Sequence, residues 1–287
     1  MIEYLDLLDR VLTNGTPRHG EKPEGTLTVF GEQVKFNFTD GFPLITCRDM
    51  TGSWNKIIVP EILWMISGST SAIEAQEKFG LKLWNKWAED SAKKLGTPPG
   101  ELGPIYGKQL RNWNGKTDQV KEVIEMLKRT PETRRAVISL WNLEDVEIGG
   151  LKRVNVANCI SMLHLSRMNY KLPDGGYEPR LDMIMTQRSA DLAAGSPHDW
   201  ANWALLQMMV AKEIGLKPGT LTASIEDGQI YDFQIEHVKE LLKREPLKRA
   251  TVTIDDSPSG TIFDHTQSDF HLENYRSHPK MIIPVAI

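Results

Sequence analysis

The chain is short of cysteine: it has two in 287 residues, Cys47 and Cys159, far apart and neither in a CxxC pair. That excludes a disulfide framework and makes a reducing cytoplasm the simplest setting. Its seven histidines are scattered, with no HxxxH or HExxH, so no metal signal arises. GxGxxG, Walker and GxSxG patterns are missing, which leaves dinucleotide binding, P-loop chemistry and serine hydrolysis unsupported. A net charge of −4 without a long Lys/Arg block argues against a nucleic-acid polymer as main partner, whereas a few focused arginines suffice for a small anion. No window is long and apolar enough to span a bilayer, and the amphipathic, acidic residues 1–10 do not read as an export signal.

What is present fits a globular enzyme. With 40% hydrophobic residues the chain can bury a large core, and no repeat or linker divides it, so one domain over residues 1–287 is expected. Ile2, Leu5, Leu8, Val11 and Leu12 recur at helical spacing. Residues 14–25 are rich in breakers and predict a surface loop, and residues 26–30 and 33–38 about Gly31-Glu32 predict a hairpin. Residues 200–214, apolar nearly all round, predict a buried central helix ending at Gly215. Strands fall between helices without regular βαβ alternation, which points to the α+β class.

The alternating run 154–165 predicts a strand and carries Cys159, the best candidate nucleophile; taken alone, such a cysteine is equally a small buried hydrophobe. Glu61 heads an apolar run after Pro60. It either complements the helix dipole or is a buried acid with a raised pKa, suited to proton transfer. Trp84 and Trp87 share a helical face, as core packing or as a stacking wall for a planar heterocycle. Tyr106 lies between Gly103 and Gly107 in a stretch that lets backbone approach a ligand. Arg134 and Arg135 precede a strand, either solvated or claimed by a phosphate or a partner subunit.

Taken together, Gly41-Phe42-Pro43-Leu44, Glu61-Ile62-Leu63-Trp64, the Trp84/Trp87 pair, Gly103-Pro104-Ile105-Tyr106-Gly107, Arg134-Arg135, Cys159, Gln187-Arg188-Ser189-Ala190-Asp191 and the final Pro284-Val285-Ala286-Ile287 make the chain resemble the thymidylate synthase family from end to end. The resemblance implies an α+β fold with a mixed sheet packed by helices, a sheet-to-sheet homodimer, and one-carbon transfer from 5,10-methylenetetrahydrofolate to C5 of a pyrimidine nucleoside monophosphate. By that resemblance Cys159 adds to C6 of the base, Arg188 activates it and binds phosphate with Ser189, and Arg134 and Arg135 reach the same phosphate from the other subunit. Gln187, Gln229 and Tyr231 fall on the nucleotide side. Glu61 organises proton transfer, Tyr106 sits beside the thiol, and Asp191, Trp84, Trp87 and Ile287 belong to the folate side.

The departures bear on the substrate. Synthases of this family carry Pro-Phe-Asn where this chain has Pro197-His198-Asp199. An asparagine amide donates to O4 of uracil and accepts from N3–H. Cytosine offers the reverse pattern, which a carboxyl sharing a proton with N3 matches, so Asp199 points to dCMP or CMP unless it simply faces solvent. Asn158-Cys159-Ile160 stands where synthases have Pro-Cys-His, Glu21 replaces a phosphate-binding arginine for which Arg18 or Lys22 is a substitute, and Gln229 replaces a histidine near the sugar. The expectation is cytidylate hydroxymethylation, with methylation of dCMP or dUMP as the rival. A non-catalytic binder of nucleotide, folate or RNA is the third reading.

Overall fold

The helix Ile2–Asn14 buries Tyr4, Leu5, Leu7, Leu8 and Val11 along one stripe, as its spacing predicts. In this computed structural model, which describes residues 1–19 and 24–285, it lies against a mixed seven-stranded sheet. Six strands run in the spatial order Thr16–His19, Gly25–Asn37, Lys217–Tyr231, Tyr177–Gln187, Ile160–Lys171 and Val137–Ser139. The short strand Ala190–Asp191 pairs beside Gly228 and Gln229. Neighbours are antiparallel, except that Lys217–Tyr231 runs parallel to Tyr177–Gln187 and to Ala190–Asp191. A parallel step needs a crossover, and the helix Ser196–Glu213 supplies it.

That crossover helix is buried almost all round, as its composition predicts, and packs between the sheet and the helix Val59–Ser67. Helices cover one face of the sheet, where Leu163, Leu165, Met183 and Met185 are buried. On the other face strand alternation and register align Val137, Met162 and Ile184, which stay 36, 36 and 40% exposed. The α+β class and the mixed sheet agree with the sequence. No helix among the described residues is long and apolar enough to cross a membrane.

Three local expectations need correction. Residues 26–38 do not fold back as a hairpin: Gly25–Asn37 is one strand, bent at Gly31 (φ +88°), and it pairs with Lys217–Tyr231 from Thr26↔Tyr231 to Asn37↔Thr220. The distant partner offers a longer ladder and buries Val34 and Phe36, which a local turn could not do. Part of the expected loop, Thr16–His19, is an exposed edge strand. The strand after residue 154 starts only at Ile160, so Cys159 stands one residue before it.

Candidate active site

Side chains, rather than a ladder, satisfy the backbone around Cys159. The N–H groups of Cys159 and Ile160 both donate to Tyr106 Oη, at 2.8 and 3.2 Å. Arg188 donates from Nε to the Asn158 carbonyl at 2.8 Å and from Nη2 to the Ala157 carbonyl at 3.1 Å, and its own N–H reaches the Cys159 carbonyl at 2.9 Å. The guanidinium lies 4.6 Å over the Trp141 ring, and Asn158 Nδ2 anchors the segment to the Leu140 carbonyl. These bonds replace strand pairing, which is why the ladder begins late. Cys159 is half-buried, whereas Cys47 is enclosed and burial pushes its thiol up to about 11. Of the two cysteines, Cys159 is the one open to a ligand.

Tyr106 opens the helix Tyr106–Arg111, and burial first, then the nearby Cys159 and Asp199, hold its phenol well above the ordinary range. It is therefore a fixed neutral hydrogen-bonding group. Gly107 lets this helix press on the turn after Val59–Ser67, since a Cβ there would stand 2.1 Å from the Ser69 carbonyl oxygen.

Glu61 lies in the first turn of Val59–Ser67, buried among apolar neighbours. It accepts from Trp84 Nε1 at 2.7 Å and from Asn202 Nδ2. Burial raises its pKa to about 7 against the pull of those two donors. Asp199, in the first turn of Ser196–Glu213, accepts from Gln187 Nε2 at 2.7 Å. It retains some exposure, yet the surrounding protein and then Glu61 and Asp191 hold its carboxyl well above the usual range. Asp199 thus points into the cluster with its carboxyl biased towards the protonated form. Asp191 is raised by burial in the same way, while Ala194 N–H and Gln234 donate to it.

The match to known proteins covers this whole arrangement. Residues 2–287 fit the family model described as thymidylate synthase, and a protein named thymidylate synthase from Francisella philomiragia subsp. philomiragia is 37% identical, with both chains covered in full. The chain belongs to the thymidylate synthase family. Folate-dependent transfer to C5 of a pyrimidine nucleotide, with 5,10-methylenetetrahydrofolate as cosubstrate, is the chemistry of thymidylate synthases.

The remaining residues expected from the thymidylate synthase resemblance divide into those beside the cluster and those apart from it. Trp84 packs at 5.4 Å against half-buried Trp87, the rings tilted by 51°, and lies 6.5 Å edge-on to Tyr106, so an aromatic wall runs inward to the tyrosine that holds the Cys159 backbone. Gln229 Nε2 lies 3.4 Å from Ser189 Oγ, and Tyr231, two residues along the same strand, stacks on Phe233. Arg134 and Arg135 do not join the cluster: they are exposed at the edge strand Val137–Ser139, and their side chains form no ion pair among the described residues. Arg18, a candidate replacement for the phosphate arginine, is paired with Asp227 at 2.6 Å. Glu21, Lys22 and Ile287 lie outside the described residues.

Sequence reasoning missed Asn202 and Gln234. Asn202 stands three residues after Asp199 on one helix, a spacing that puts both on the same face and could have disclosed it. Gln234 closes a capping box with Tyr231 three residues before it, whereas its contacts to Asp191 and Pro284 are made only by folding.

Proposed function

We propose that this chain hydroxymethylates a cytosine nucleotide, dCMP or CMP, at C5. The observation that carries the reading is the Asp199 carboxyl, held by Gln187 Nε2 at 2.7 Å and raised by burial. Cytosine differs from uracil in lacking a proton on N3. When the Cys159 thiolate adds to C6, the electron pair displaced from the ring moves onto N3, and the Asp199 carboxyl delivers its proton there. A uracil ring brings its own N3–H, so transfer of a proton to N3 is a need that only cytosine has. Arg188, stacked on Trp141 and tied to the Asn158 and Ala157 carbonyls, keeps Nη1 for the nucleotide phosphate and sets positive charge beside the thiol. Ser189, Gln229 and Tyr231 face phosphate and sugar.

The folate supplies the one-carbon unit and departs as tetrahydrofolate. Trp84 and Trp87 offer a ring face and Asp191 a carboxyl, a set that fits a flat, N–H-rich heterocycle. After C5 takes the one-carbon unit, departure of tetrahydrofolate and loss of the C5 proton leave an exocyclic methylene; water attacks that carbon, C5=C6 re-forms, Cys159 leaves and the N3 proton returns to Asp199. Glu61, with a pKa near 7, takes the water's proton. The described fold also exposes the apolar sheet face of Val137, Met162 and Ile184, the surface a second copy would cover, with Arg134 and Arg135 at its edge to reach the partner's phosphate. The name of the Francisella relative favours a second reading, reductive methylation. Product mass after incubation with the folate and dCMP, CMP, dUMP or UMP decides. A gain of CH2O on a cytosine nucleotide is expected, and a gain of CH2 with dihydrofolate formed would establish the methylating reading instead.

A further inference from the structure

The turn Asp232–Gln234, directly after the strand Lys217–Tyr231, places a fully buried amide between two parts of the molecule that are distant in sequence. Gln234 Oε1 accepts from the Tyr231 N–H at 3.1 Å, which fixes the orientation of the amide and turns its NH2 the other way. From there Nε2 lies 3.1 Å from each oxygen of Asp191 and 2.8 Å from the Pro284 carbonyl in the C-terminal tail. Among the described tail residues, Ile283 is buried and Met281 packs against the core, while Ile282 and Val285 are 74 and 50% exposed. The Gln234 amide adds a polar hold on this tail, and it is shared with Asp191.

We infer that Gln234 is a positioning residue that couples the seating of the C-terminal tail to the orientation of Asp191, so that folate held at Asp191 and a closed tail stabilise each other. This rests on the folate role of Asp191 given above. The two NH2 protons serve three acceptors, so a change at either end redistributes the bonds at the other. When the tail lifts, both protons fall to Asp191 and hold it away from a ligand; when Asp191 turns to a ligand, a proton of Gln234 is released to Pro284.

The test uses the full chain and two variants. Gln234→Leu removes the donor, and Gln234→Glu keeps the acceptor for Tyr231 N–H but regains a donor only when protonated. Hydrogen exchange at residues 281–283 is read by mass spectrometry, alongside separate KM values for folate and nucleotide. In the Leu variant, tail exchange and folate KM should each rise about tenfold, the scale of one or two lost buried hydrogen bonds, with nucleotide KM within about twofold of wild type. In the Glu variant both should return towards wild type as the pH is lowered from 8 to 6, a recovery that a merely damaged turn would not show. Unchanged tail exchange in folded variants, or a folate KM and nucleotide KM that rise together, overturns the coupling. If the Leu variant does not fold, the pH recovery of the Glu variant decides alone. Exchange needs no turnover, so a wild type inactive with folate would sink the proposed function while the exchange result still decides the clasp.

Discussion

A carboxylic acid that burial biases towards its protonated form can give that proton to a base that lacks one, and the Asp199 carboxyl is shifted in that direction. Asp199→Asn keeps the shape and the bond to Gln187 but has no proton to transfer. Its kcat/KM on the cytosine nucleotide should fall at least about a hundredfold, with a shift of preference towards uracil, measured as the dCMP to dUMP ratio. An unshifted ratio would remove Asp199 from base selection. Glu61 gives a pH signature. It must be ionised to take a proton from water, so the hydroxymethylation rate should rise with pH through about 7. The Trp84 N–H lowers that pKa, hence Trp84→Phe should move the rise to higher pH. In stability the sign is opposite. A group near 4.5 when unfolded and about 7 when folded favours the fold most fully below 4.5 and loses that contribution as pH rises through 7. Melting curves of Glu61→Gln should therefore gain on wild type between pH 5 and 8.

Three helices and a loop carry the site, and each is positioned by something other than its own sequence pattern. Val59–Ser67 presents Glu61, while Ser196–Glu213 brings Asp199 and Asn202 to meet it. The short Tyr106–Arg111 would not be stable alone. It is held because Gly107 allows contact with the Ser69 carbonyl and because Tyr106 Oη receives two backbone N–H groups. Gly107→Ala should cost about 1–3 kcal/mol by chemical denaturation and depress kcat, since the helix must move and Tyr106 with it. Equal stability and activity would mean that the contact is not tight in solution. The Cys159 loop shows why alternation misled: residues 154–159 have the side chains of a strand, but Tyr106 and Arg188 capture their backbone groups first.

For the whole molecule the proposed dimer has a direct test. Cys159→Ala and the Arg134→Ala/Arg135→Ala double variant should each be inactive, yet mixed and refolded together they should recover roughly a quarter of wild-type activity, because half the dimers would carry one intact site. No recovery would place the phosphate arginines elsewhere. Much of this was legible beforehand. The composition excluded disulfide, metal-motif and membrane-spanning designs; the apolar run 200–214 disclosed the central helix; and Cys159, Glu61, Trp84 and Asp199 stood out because a thiol, a lone acid in an apolar run and a changed motif are visible one residue at a time. What a linear chain cannot show is which distant groups share a hydrogen bond. The choice of Lys217–Tyr231 over a local hairpin as partner for Gly25–Asn37, the upward shift of the Asp199 carboxyl, and the clasp of Gln234 on Asp191 and Pro284 are all set by burial and long-range contacts. Sequence by itself determined the residue types, the class of chemistry and the main elements, since those follow from side-chain identity and periodicity. Tertiary structure alone decided protonation states and partners, since both depend on what surrounds a group once water has been excluded.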